Sequence, residues 1–121
     1  MISKLNAQNW DSQIKYSPFY KNFTNYEVLP SPKNISIKGI QKFILDTIQY
    51  PKDFQKEGLV VIRFIVNLDG KVEMPKILKG IDPRIEKQIL DLIADFEFTP
   101  GKFYQQEIPM YVNLPLRIIS K

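Results

Sequence analysis

Asp91 and Asp95 stand four residues apart, with Glu86 earlier in the same stretch. Carboxylates at that spacing on one helix can share a proton or hold a cation. The same stretch carries Ile85, Ile89, Leu92, Ile93 and Phe96 at i, i+4, i+7, i+8 and i+11, an apolar stripe that must face a core. Asp91 and Asp95 then point to water, and a solvated helix face is the reading we adopt. Asp69-Gly70 has the opening of a calcium loop, but the other ligand positions of such a loop are not there. With no cysteine and no histidine, the chain lacks thiolate and imidazole ligands for zinc. It also lacks the usual nucleophile and base of acyl transfer. The sequence shows no glycine loop to cradle a phosphate, so neither an enzyme, a metal site nor a cofactor is expected.

The distinctive chemistry lies in a backbone. From Ile108 to Ile118, the residues Ile108, Met110, Val112, Leu114, Leu116 and Ile118 alternate with Pro109, Tyr111, Asn113, Pro115 and Arg117. This alternation predicts one long strand with one buried face. Proline has no N–H, so a strand tolerates it only where that side faces a free edge. Pro109 and Pro115 share odd parity with Tyr111 and Asn113, so the odd residues direct their backbone groups outward and the even ones pair inward. The strand is therefore an edge whose central backbone can accept another strand. The candidate partner-binding segment is Gln106 to Leu114, comprising Gln106, Pro109, Met110, Tyr111, Val112, Asn113 and Leu114. The bounding prolines confine pairing to a short stretch and so curb aggregation.

Several elements must position that edge. Ile37, Ile40, Phe43, Ile44 and Ile48 predict a helix over about Lys38–Gln49, stopped by Pro51. Gly58 to Asn67 is rich in β-branched residues and reads as a strand, with Val60, Ile62, Phe64 and Val66 on one face. Its other face, Leu59, Val61, Arg63 and Ile65, is nearly as apolar, which predicts a cover from the leader or from a second subunit. Asn67-Leu68-Asp69-Gly70 marks a turn into a strand over Lys71–Lys79, with a bulge or bend near Pro75. Asp82-Pro83 caps the helix that carries the carboxylates, and Thr99-Pro100-Gly101 ends that element. The fold class is thus α+β, with a three-stranded antiparallel sheet, two helices packed on one face, and the order α-β-β-α-β.

Residues 1–34 differ in texture. They hold Trp10, Tyr16, Phe19, Tyr20, Phe23 and Tyr26 but few aliphatics, and Pro30-Ser31-Pro32 reads as a stiff extended linker. This irregular leader is expected to dock on a domain spanning 35–121. A composition of 44% hydrophobic and 25% charged residues suits one globular domain with its own core. The 17 basic residues exceed the 13 acidic ones by four, but the lysines are scattered from Lys4 to Lys121 without a run. Nucleic acid, which calls for a clustered basic patch, is not an expected partner. No stretch approaches the ~20 apolar residues of a membrane span. Met1 to Asn6 lacks the apolar core of a signal peptide.

Five motifs in order resemble the TonB C-terminal domain family: Tyr50-Pro51; Gly58 through Val66; Asp69-Gly70-Lys71-Val72 with Ile77-Leu78-Lys79-Gly80; Phe96 through Gly101; and Ile108 through Ile118 with its internal proline. The likeness covers roughly Ile40–Ile118, and its weight lies in the order and spacing of the motifs. Phe98 and Phe103 depart from the family, standing where tryptophan and small polar residues are common.

The resemblance implies a periplasmic domain that binds the TonB-box peptide of an outer-membrane receptor by strand addition. It implies, too, that the domain transmits force in an energy transducer without catalysis of its own. The inner-membrane helix and proline-rich spacer of the family's transducers are not in this sequence. ExbB and ExbD are therefore implied as partners through a further N-terminal segment, with the parent anchored to the inner membrane. The alternative is a TonB-like interaction or dimerisation module of an envelope regulator or scaffold, in which the same edge forms a homodimer.

Overall fold

The structure, a computed structural model, describes residues 27–119. The leader aromatics Trp10, Tyr16, Phe19, Tyr20, Phe23 and Tyr26, and with them the expected docking of the leader, lie outside the described residues. Two short strands, β1 (Glu27–Val28) and β2 (Ser31–Pro32), precede helix α1 (Ile37–Thr47). Strands β3 (Gly58–Val66) and β4 (Val72–Lys79) form a hairpin, followed by helix α2 (Pro83–Ile93). The chain ends with β5 (Phe98–Thr99), β6 (Gly101–Phe103), β7 (Gln106–Ile108) and β8 (Met110–Ile118).

The main sheet is antiparallel with the order β4-β3-β8, and both helices cover one of its faces. Val60, Ile62, Phe64 and Val66 of β3 and Leu114, Leu116 and Ile118 of β8 bury on that face. Ile40, Ile44 and Ile48 from the α1 segment and Ile85, Ile89 and Ile93 from α2 complete the core. Each fully buried aliphatic side chain contributes about 1.5–3 kcal/mol, and this layer is the main source of stability.

The larger elements keep the predicted order, but the arrangement differs in four ways. First, two small sheets exist beside the main one, with orders β1-β6-β7 and β2-β5. Residues 27–32, which composition places in the leader, thereby pair with 98–103. Strands of two residues join through backbone bonds and leave no hydrophobic period to read. Second, the predicted strand from Ile108 to Ile118 is broken at Pro109. β7 turns back onto β6 through Tyr104 and Gln105, whose φ values of 52° and 67° make the two-residue hairpin loop.

Third, α1 ends at Thr47 rather than Gln49. Ile48 is extended, and the Gln88 side chain grips the Gln49 backbone, accepting from its N–H at 2.7 Å and donating to its carbonyl at 3.0 Å. Fourth, α2 stops at Ile93, so the stretch to Thr99 is not helical. Phe96 sits edge-on against Phe43, and Phe98 turns into β5 and packs on Phe64.

The β3–β4 turn is tied to this C-terminal segment. Gly70 has φ 81°, its N–H donates to the Asn67 carbonyl, and its own carbonyl accepts from Phe98 N at 2.8 Å. A Cβ there would collide with the Phe98 carbonyl oxygen. The expected bulge in β4 falls at Met74 and Pro75, with Met74 at φ 52° and a register shift against β3. A second shift occurs at Leu78.

The start of α2 is an ionic knot. Buried Asp82 caps the helix through Arg84 N at 2.9 Å, and the Arg84 guanidinium grips its two oxygens at 3.1 and 2.9 Å. Arg84 also reaches Asp53 at 3.0 Å, and Lys56 donates to the Ile81 carbonyl. These bonds fasten the loop before β3 to the helix.

Two outcomes follow. Gly70→Ala forces a left-handed alanine against a backbone oxygen and should cost about 2–3 kcal/mol in chemical denaturation. The hydrogen bonds from the Arg84 guanidinium, and then from the Arg84 N–H, hold the Asp82 carboxyl well below the usual carboxylate range. A carboxyl lowered on folding stabilises the protein above its unfolded pKa of about 4, and that stability is lost as pH falls below it. Asp82→Asn should therefore unfold at lower denaturant than the parent at pH 7, with the gap closing below about pH 4.

Candidate functional site

The carboxylates singled out in the sequence are dispersed. Asp91 is exposed and lies 3.6 Å from Lys87, while Asp95 is exposed past the end of α2. Glu86 turns back toward its own helix start, accepting from Ile81 N and from Asp82 N at 2.7 Å. Gly80 leaves room for that carboxylate, since a Cβ there would collide with it. Asp69 accepts from Lys71 N and shapes the turn. Among the described residues no group of three potential metal ligands comes together. No helix among them is long and apolar enough to cross a membrane.

The backbone candidate takes a definite form. β8 pairs with β3 without a slip, from Met110 opposite Val66 to Ile118 opposite Gly58. Antiparallel partners alternate between exchanging two hydrogen bonds and exchanging none. Pro115 lies opposite Val61 and has no N–H, so that pair is a non-bonded one. By the same alternation Tyr111, opposite Ile65, and Asn113, opposite Arg63, point their N–H and C=O away from β3. A direct observation agrees: the Pro115 carbonyl accepts from Gln41 Nε2 of α1 at 2.8 Å, on the side away from β3. Among the described residues no strand pairs with this outer edge.

The seven candidate residues therefore divide. Tyr111 and Asn113 present outward backbone groups, and Val112 between them is half-buried on the helix side. Leu114 is buried in the core, and Met110 lies against Gly101. Gln106 does not lie on the β8 edge; it pairs with Phe103 in the β6–β7 hairpin, and Pro109 is the break between the two strands. Alternation continues through Pro109 and so predicts one long strand, but alternation does not reveal a change of pairing partner.

The opposite edge of the sheet, β4, is blunted. Two register shifts, Pro75, Lys76 and Lys79 interrupt any regular ladder there. Between Pro109 and Pro115, by contrast, β8 is regular.

On the sheet face turned away from the helices, Arg63 reaches across from β3 to β8. Its Nε donates to Asn113 Oδ1 at 3.0 Å, and its guanidinium carbon lies 5.2 Å from the centre of the Tyr111 ring. The ring's negative face attracts the cation. Lys76 stands opposite Arg63, Lys79 opposite Val61 and Arg117 opposite Leu59. The face also holds Glu73, opposite Ile65, whose carboxylate accepts from Asn67 Nδ2. This basic platform, and the Gln41 cap, were not legible in the sequence. Arg63 was visible on the second face of its strand, but its neighbours depend on the register with β8.

No protein-family model matches the chain, and no curated protein matches it. Among solved structures, the chain is similar to the C-terminal domain of TonB from Helicobacter pylori, residues 179–285, determined by NMR in solution. The two are 24% identical, the match covers 74% of this chain and 87% of that one, and the TM-score is 0.49.

Proposed function

We propose that this chain is a periplasmic, non-enzymatic protein-binding domain of a TonB-like energy transducer. It captures the TonB-box peptide of an outer-membrane receptor by β-strand addition and passes on force for uptake. One observation carries the reading: β8 is a regular strand edge that offers the backbone groups of Tyr111 and Asn113 and is bounded by Pro109 and Pro115. Added strands bind through such groups. The order of the five sequence motifs supplies the identity of the partner class, and ExbB and ExbD follow as partners through a further segment of the parent.

The energetics suit capture and release. Each main-chain bond nets about 0.5–1.5 kcal/mol, so about four of them reach roughly 2–6 kcal/mol. Micromolar binding needs roughly 8 kcal/mol. Side chains flanking the edge must supply the difference.

Titrating isotope-labelled protein with a pool of TonB-box peptides should move the amide signals of Tyr111, Val112 and Asn113 most, saturating near micromolar peptide. Unmoved signals there would sink the strand-addition reading. A second check uses Asn113→Pro. Its lost N–H faces outward, as at Pro115, so the fold should persist by circular dichroism. Peptide affinity should drop about tenfold, because a donor is lost and a ring fills the edge.

A further inference from the structure

We infer that Arg63 makes the β8 edge selective for a strand bearing a carboxylate and unfavourable to a second copy of itself. This rests on the strand-addition reading and names the chemistry of the strand.

Arg63 is rooted in the central strand, yet its head lies over the edge strand, held by Asn113 Oδ1 and the Tyr111 ring. It is half-buried, and among the described residues no carboxylate pairs with it. Among the described residues the guanidinium hydrogen-bonds to Asn113 alone, through Nε. Its terminal nitrogens are thus available for the bidentate pairing that suits a carboxylate.

Geometry sets where that carboxylate must stand. A strand added to β8 would run about 4.8 Å beyond it. Its residues opposite Tyr111 and Asn113 would place their side chains on the Arg63 face, while the residue opposite Val112 would face the helices. An Asp or Glu opposite Tyr111 or Asn113 is then one strand spacing from the guanidinium. Arg117 lies on the same face of β8, and β8 itself contains no acidic residue to compete.

The same placement bears on self-pairing. Two β8 edges joined antiparallel about Val112 would set Tyr111 opposite the partner copy's Asn113. Each copy would bring its own Arg63 to the same face, near the two-fold axis, with no carboxylate from either β8 between the guanidinium groups. Like charges so placed repel. Arg63 thus discriminates in both directions.

The test uses synthetic Thr/Val strand peptides in which a single Glu is moved along the sequence, each with its Gln counterpart. Binding is read from the Tyr111 and Asn113 amide signals of the whole chain. We expect Glu to bind about fivefold tighter than Gln at alternate positions only, the upper end of what an exposed ion pair gives. Arg63→Gln should erase the difference, and Arg63→Glu should transfer the preference to Lys-bearing peptides, with folding checked by circular dichroism. In sedimentation, the parent should not self-associate through this edge. Equal affinity for Glu and Gln peptides in the parent would overturn the role of Arg63 while leaving strand addition intact. A parent dimer whose signals shift with concentration at Tyr111 and Asn113 would overturn it as well. If no peptide moves those signals, both readings fall.

Discussion

A one-residue slip of β8 against β3 would carry Leu114, Leu116 and Ile118 from the core to water, because side chains alternate with a period of two. The unbroken register from Met110 opposite Val66 to Ile118 opposite Gly58 is the constraint on which the rest of the molecule depends. Burial of the even residues fixes it from one side. Pro115 fixes it from another, since proline can occupy only a position whose N–H is not required. Both demands select the same register. That agreement leaves Tyr111 and Asn113 with their backbone groups turned outward, and it sets Asn113 beside Arg63.

The surroundings of this edge are organised to keep it short and straight. Pro109 separates β8 from the β6–β7 hairpin, and the Gln41 side chain occupies the Pro115 carbonyl. The β4 edge, by contrast, is broken by bulges at Met74 and Leu78 and studded with lysine. Interruptions of this kind keep exposed sheet edges from uncontrolled pairing. Here it falls on both edges but leaves one regular interval. Farther away, the Asp82–Arg84–Asp53 cluster and the clasp of Gln88 on Gln49 fix α2 and the loop before β3.

Charge gives the edge a direction of preference. The basic side chains on the face away from the helices do not form a sequence cluster; Arg63, Lys76, Lys79 and Arg117 come from three strands. Sheet pairing gathers them, and Tyr111 gives Arg63 a surface on which to lie. The scattered lysines that argued against a nucleic-acid patch in the linear sequence are therefore compatible with a local positive platform of a different kind, one matched to a single side chain on a neighbouring strand.

The sequence by itself determined the α+β class, the order of the main elements, the Asp82 cap, the Asn67–Gly70 turn, and the parity of β8. Each of these is written in local chemistry: hydrophobic period, proline's missing N–H, or glycine's tolerance of positive φ. Only the tertiary structure decided where the regular strand breaks, that residues 27–32 pair with 98–103, that α1 ends at Thr47, and that Gln41, Arg63 and Asn113 converge on the edge. Those features are contacts between residues distant in the chain. Periodicity along one segment reports which face is buried, but it carries no information about which backbone lies alongside.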